Sequence, residues 1–383
     1  MILKKLAAVS LSALMVFSTL TGCGGDKGDS EKIPEVGNLK YESTTELQYA
    51  TQFAIYNYEG GYKYIEIVDG DKILVVPEGA ETPEGLEEDV IVVNQPLENV
   101  YMAATSAMSL VNAAGAIDQV KFSSLEADGW YVEEAARAMN EGRIRFAGKY
   151  NTPDYEMLVG ENCDLAIEST MILHNPEVKE KLEDLGIKVM TERSSYESHP
   201  LGRTEWMKLY GALFGKEEEA NKAYSEQVSI MDELDGLENT GKTVAFFYIN
   251  SAGGVVTRKS NDYVATMIEI AGGKYIFENL GDEDSRNSTV NMQMEEFYAS
   301  AKDADFIFYN SSIVSGVETI DQLIDQNSVL ADFKAVKEGN VWCTGKNVYQ
   351  ETDKLGSVIR DMNEIITNGD ECPETLDFFF KVK

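Results

Sequence analysis

Histidine is nearly missing: the 383 residues hold two, His174 and His199. A site of three imidazoles is therefore excluded, and neither HExxH nor HxH spacing surrounds the two that are present. Cysteine is scarce as well. Of four, Cys23 stands near the start, while Cys163, Cys343 and Cys372 are an odd, scattered set without CxxC spacing, which points to neither a disulfide framework nor a structural zinc site. Cationic residues are short: 33 Lys and Arg against 66 Asp and Glu give a formal net charge of −33. Such a chain lacks the basic surface that nucleic acid requires, whereas acidity leaves a small ligand open, because a pocket can be locally basic on an acidic body. No GxSxG elbow occurs, and carboxylates are too abundant for sequence neighbours to mark an acid/base pair. The uncharged run Leu6 to Leu20 is too short for a comfortable membrane span of about 20 residues.

That run has another use. Lys4 and Lys5 precede it and Leu20-Thr21-Gly22-Cys23 ends it, the layout of a secretory signal. The tetrapeptide resembles the lipobox of bacterial lipoproteins, which implies cleavage ahead of Cys23, a lipid on its thiol, attachment to the membrane and an extracytoplasmic location. The polar stretch Gly24 to Lys32 suits a tether. With 43% hydrophobic residues the remaining chain has material for two cores.

Short Tyr/Ile/Val runs from Leu47 to Pro77, punctuated by Gly60-Gly61 and Asp69-Gly70-Asp71, predict β-hairpins. Val90 to Val93 is a continuous apolar run of the kind a strand covered on both faces shows. Strand and helix patterns then alternate to about Thr191, a long helical pattern occupies Arg203 to Leu237, and alternation resumes at Val244 and ends in a helix over Gly356 to Asn368. The expected fold is α/β: two lobes with mostly parallel sheets joined by one long α-helix, plus N-terminal β-hairpins. Its expected divisions are a signal over 1–22, a lipidated tether over 23–37, hairpins over 38–89, a first lobe over 90–202, a linker helix over 203–240 and a second lobe over 241–383. Ligands of such sheets sit beyond the carboxyl ends of the strands, so the cleft between lobes is the expected site.

Gly236 to Thr243 fits the expression GxxxxGK[ST] of a phosphate-binding loop. The context is reversed, with a helix before it and a strand after, so turn chemistry explains it better.

Five further motifs occur in order: Gly148-Lys149-Tyr150-Asn151-Thr152-Pro153-Asp154-Tyr155-Glu156, Cys163 to Glu168, His199-Pro200-Leu201-Gly202-Arg203, Glu269 to Gly273, and Met294-Glu295-Glu296-Phe297-Tyr298 followed by Ala304 to Phe308. Together they resemble the substrate-binding proteins of iron-siderophore and cobalamin ABC importers, over nearly all of the chain from Val90 on. The sequence departs from that pattern in its front hairpins and in Cys163-Asp164, where the family has Pro-Asp. The resemblance implies a monomeric protein that is not an enzyme, uses no cofactor of its own, and delivers a metal chelate, a ferric siderophore or a corrinoid, to permease subunits. It assigns permease docking to Glu156 on one lobe and to Glu295 or Glu296 on the other. By position it assigns ligand contacts to Thr105, Ser106, Trp130, Tyr131, Glu168, Ser169, Thr170, Ser195, Tyr196 and Arg203, and in the second lobe to Arg258, Lys259, Tyr309 and Asn310. Aromatic rings beside arginines suit a flat or anionic chelate. A haem receptor of the same fold, with tyrosine as ligand, and a secreted lipoprotein hydrolase on an α/β scaffold are the alternatives.

Overall fold

Alternating residues build the front of the molecule. In β1 (Tyr41–Thr44), β2 (Phe53–Tyr58), β3 (Tyr62–Ile67), β4 (Lys72–Val76) and β5 (Val90–Asn94), Ile55, Ile65, Ile73 and Ile91 stand in register on one face and Tyr56, Tyr64, Leu74 and Val92 on the other. The strands form one sheet in sequence order, antiparallel up to β4 and parallel between β4 and β5. The isoleucine face shares a core with the first lobe, and the tyrosine face packs with Val36. The computed structural model describes residues 33–234, 236–281, 287–314 and 316–383; the signal segment, Cys23 and the tether up to residue 32 lie outside the described residues.

One expectation is corrected here. The Val90–Val93 run does not open the first lobe: β5 is the edge of the front sheet, with only Val93 in its interior. An apolar run reports burial without saying in which sheet. The lobe's own sheet starts at β6 (Val100–Met102) and continues with β7 (Val120–Ser123) and β8 (Arg145–Phe146). The hairpin of β9 (Gly148–Lys149) and β10 (Thr152–Pro153) follows, then β11 (Leu165–Ser169) and β12 (Lys188–Glu192). Its order is β12-β11-β6-β7-β8, with every pairing parallel. Helices α1 (Thr105–Ala113) and α2 (Glu133–Asn140) pack on the face shared with the front sheet. The opposite face is covered by α3 (Tyr155–Gly160) and α4 (Pro176–Asp184).

Three helices stand where one linker helix was expected. The first, α5 (Pro200–Glu205), gives way at Trp206 to α6 (Met207–Phe214), and Gly215 ends α6 in the left-handed region (φ 66°) before α7 (Glu217–Leu234) begins. Helical periodicity holds within each piece; the break at Gly215 falls at a glycine, a weak point of any helical pattern, whereas nothing in the pattern marks Trp206. The 18-residue α7 joins the cores: Ala220 and Tyr224 pack with the first lobe, and Met231 and Leu234 against the second.

The second lobe's sheet runs β16 (Thr289–Met292), β14 (Val255–Arg258), β13 (Thr243–Ile249), β17 (Phe306–Tyr309), β18 (Val341–Thr344), β19 (Phe379–Lys381), with β15 (Lys274–Tyr275) also on β13. Pairings among β13, β15, β17 and β18 are parallel and the outer ones antiparallel. One face carries α8 (Tyr263–Ile270) and α12 (Leu355–Asn368); the other carries α9 (Met294–Ala301), α10 (Ile320–Gln326) and α11 (Lys334–Glu338). Lys242 of the GxxxxGK[ST] match donates to the Ile366 carbonyl (2.7 Å), and the segment is a turn leading into β13. Cys163, Cys343 and Cys372 are buried free thiols.

Candidate functional site

The site begins with how the front sheet is fixed. The segment joining β1 to β2 points five successive backbone N–H groups at two buried carboxylates. Glu205 accepts from Gln48 (2.9 Å), Tyr49 (2.8 Å) and Ala50 (2.9 Å), and Glu197 accepts from Thr51 (2.9 Å) and Gln52 (2.9 Å). Buried charges persist where hydrogen bonds replace water, and here the backbone supplies them. Glu197 also accepts from Trp206 Nε1 (3.0 Å), and Lys208 donates to Glu205 (2.7 Å). His199 stacks on Tyr49, with ring centroids 4.3 Å apart, and its Nδ1 accepts from Leu201 N; burial lowers its pKa, which suits the neutral acceptor. The chains approach so closely that a Cβ on Gly202 would lie 2.9 Å from the Tyr49 carbonyl oxygen.

This attachment brings the front sheet to the junction of the lobes. A cavity of about 240 Å3 opens where Gln52 and the β3–β4 turn (Val68, Asp69) meet the segment after β12 (Arg193, Ser195, Tyr196) and, from the second lobe, Lys259 and Asn261. Arg193 is 6% exposed, reaches the Val68 carbonyl (3.3 Å) and lies 5.8 Å from the Tyr196 ring centroid. Its Nε is buried without a hydrogen-bond partner among the described residues.

Beside the cavity the lobes meet through arginines and tyrosines. Arg203 lies 4.2 Å over the Tyr263 ring, and Arg258 lies 5.6 Å from Tyr263 and 5.2 Å from Tyr349. Arg258 donates to the Tyr349 hydroxyl, as does Asn310 (2.8 Å), and pairs with Asp262 at 3.4 Å. Burial works against the Arg258 charge, but Tyr349 and Asp262 raise its pKa and hold it protonated; burial pushes the Tyr349 hydroxyl up to about 12. Several buried cations, each beside an aromatic ring, can hold an anionic group by charge-assisted hydrogen bonds. Large apolar side chains stay in solvent beyond the carboxyl ends of strands: Tyr131 and, in a short 3-10 helix, Met171 and Leu173 in the first lobe, and Ile313 in the second.

The structure sorts the expected ligand residues. Ser195, Tyr196 and Lys259 line the cavity, and Arg203, Arg258 and Asn310 form the adjoining junction. Three of the expected residues are placed inside the lobes. Trp130 is a core side chain whose indole donates to Ser123 (2.9 Å), and Tyr309 packs on Phe247 inside the second lobe. Glu168 is fully buried among first-lobe side chains, its carboxyl pushed up to about 8 by burial, and neither oxygen has a partner among the described residues. Thr105 and Ser106 start α1, where Ser106 donates to Glu192 (3.4 Å); Ser169 caps the short 3-10 helix that Thr170 opens. Tyr131 lines a different groove. Arg193, Tyr263 and Tyr349 were missed. Arg193 immediately follows β12, so the rule that selected Ser195 could have found it; the two tyrosines come together only through packing.

Glu156 is exposed in the first turn of α3, and Glu295 and Glu296 are exposed in the first turn of α9. Each lobe thus offers an acidic helix start on its surface.

Two α/β lobes joined through a helix, with a cleft at their strand ends, define a bilobed binding protein. The family model described as "Periplasmic binding protein" matches residues 125–348, and the chain belongs to that family. A relative from Methanocaldococcus jannaschii, the uncharacterized lipoprotein MJ0878, is 27% identical over 95% of this chain and 93% of its own. Among solved structures, the periplasmic heme binding protein HutB of Vibrio cholerae shares the fold with a TM-score of 0.57 at 16% identity, covering 70% of this chain and 99% of that one. The periplasmic vitamin B12 binding protein BtuF of the same organism does so with a TM-score of 0.51 at 17% identity, covering 72% of this chain and 99% of that one. No helix among the described residues is long and apolar enough to cross a membrane.

Proposed function

We propose that the chain is a lipid-anchored extracytoplasmic receptor that captures a metal chelate, a ferric siderophore or a corrinoid, and delivers it to an ABC importer. The observation that carries the ligand class is the cavity beside buried Arg193, Arg203, Arg258 and Lys259 with Tyr196, Tyr263 and Tyr349 around them. Its volume, about 240 Å3, falls below the usual range for whole small-molecule sites, so it takes the anionic part of a ligand while the remainder lies outside it. The names of HutB and BtuF, a heme and a vitamin B12 binding protein, agree with a flat metal chelate. The lipoprotein relative agrees with Cys23 as the anchor. Glu156 and Glu295, with Glu296 beside it, are the docking points for basic permease surfaces, since two separated carboxylates on a rigid body set orientation and steer encounter.

The test is native mass spectrometry with an absorption spectrum, on the chain from Gly24 onward, which retains the whole unit Pro34–Lys383. It is incubated with ferric siderophores, corrinoids and haem. A one-to-one adduct with a siderophore or corrinoid is expected. A haem adduct alone would replace the chelate reading with the haem one, and no adduct across the panel would overturn both.

A further inference from the structure

A second groove separates the lobes, away from the front sheet, with a volume of about 820 Å3. Its first-lobe wall is the start of α2 with Tyr131 and Glu133; its second-lobe wall carries Glu351, Asp353, Asp377 and Phe378. Two cations also line it, and each is committed: Arg137 pairs with Glu134, and Lys354 with Glu351. Five lining carboxylates against two lining cations leave a formal surplus of three negative charges.

Three carboxylates remain outside these pairs. Glu133 and Asp377 are exposed, and no ion pair among the described residues engages their carboxylates. Asp353 Oδ1 is buried without a hydrogen-bond partner among the described residues. Burial raises the Asp353 carboxyl to about 6, so near neutrality it is mostly ionised and under-solvated. The field within the groove favours cations: burial acts to lower the Lys354 pKa, yet Glu351, Asp353 and, from the opposite lobe, Glu133 together raise it. The exposed ring of Tyr131 adds an apolar wall that bare metal ions do not use.

We infer that this groove is a binding site for an organic cation carrying two or more ammonium groups, held by Glu133 of one lobe and by Asp353 and Asp377 of the other. Such a ligand spans two walls of like charge and draws them together. The site is separate from the cavity beside Arg193 and Lys259, so its existence does not depend on the chelate reading.

The experiment is isothermal titration of the full chain in detergent with spermidine, putrescine and butylamine, at low and at physiological salt. Saturable one-to-one binding is expected, strongest for spermidine and at least tenfold weaker for butylamine. Asp353→Asn is expected to weaken spermidine binding at least tenfold, and Glu133→Gln, an exposed change that the fold tolerates, at least threefold. No saturable binding would overturn the inference. So would spermidine binding that both variants leave unchanged, since that is diffuse attraction to a chain of net charge −33.

Discussion

Replacing Glu205 by alanine tests whether the front sheet is held at the lobe junction by the two carboxylates. The substitution removes the acceptor for the Gln48, Tyr49 and Ala50 amides and leaves Lys208 without that partner. Hydrogen bonds to a charged acceptor contribute about 1.5–3 kcal/mol each, and a buried donor left unmade costs a similar amount. Gln48 and Tyr49 are exposed residues, so water replaces part of what is lost, and the low end applies: about 1.5 kcal/mol per amide, or about 4.5 kcal/mol for three. Phe53, Ile55, Ile65 and Ile73 remain in the shared core, so the sheet stays docked while the 48–50 segment loosens. Hydrogen exchange read by mass spectrometry should then show the 48–50 amides exchanging about tenfold faster, as about 1.4 kcal/mol per amide requires, with the strands of the front sheet protected as before. Glu205→Gln, which retains an acceptor oxygen, should fall between. Unchanged exchange at 48–50 in a folded variant would refute the reasoning, and so would acceleration spread evenly over the sheet.

Other expectations follow from the same contacts. Glu168 has its pKa raised by burial to about 8, so its contribution is present below the unfolded carboxylate pKa and lost as pH rises through about 8. Urea midpoints should fall between pH 5 and pH 9, and Glu168→Gln should flatten that slope; an equally steep slope in the variant counts against it. Arg193→Met removes a buried guanidinium from the cavity and should weaken an anionic chelate at least tenfold in fluorescence titration while leaving the circular dichroism spectrum unchanged. Glu156→Ala combined with Glu295→Ala should abolish uptake by whole cells and preserve ligand affinity, and a loss of affinity would mean that these carboxylates serve the cleft instead.

Much of the architecture was legible because periodicity and turns are local. Met294–Ala301 is a helix over the residues its pattern indicated, and Asp262 caps α8 as its position ahead of an apolar run suggests. What was not legible depended on partners distant in sequence. Val90–Val93 reads the same whether it opens a lobe or edges the front sheet, and the antiparallel pair β14 and β16 offered no tight hairpin. Trp130 and Tyr309 stand next to site positions, yet their rings turn into cores, a choice that sequence adjacency does not encode. Glu197 and Glu205 looked like two more acids in an acidic chain. The backbone of residues 48–52, with Trp206 and Lys208, distinguishes them.

The anchored front sheet also bears on how the cavity exchanges its contents. Gln52 and Asp69 belong to the front sheet and Arg193 and Tyr196 to the first lobe, and the shared core makes these two walls a single body. Only the wall carrying Lys259 and Asn261 belongs to the other lobe. Opening is therefore a displacement of the second lobe against one body rather than independent motion of three walls. Under the proposed function, changes in the β3–β4 turn would alter which ligand is retained without touching the acidic helix starts on the surface, so selectivity and delivery would vary independently.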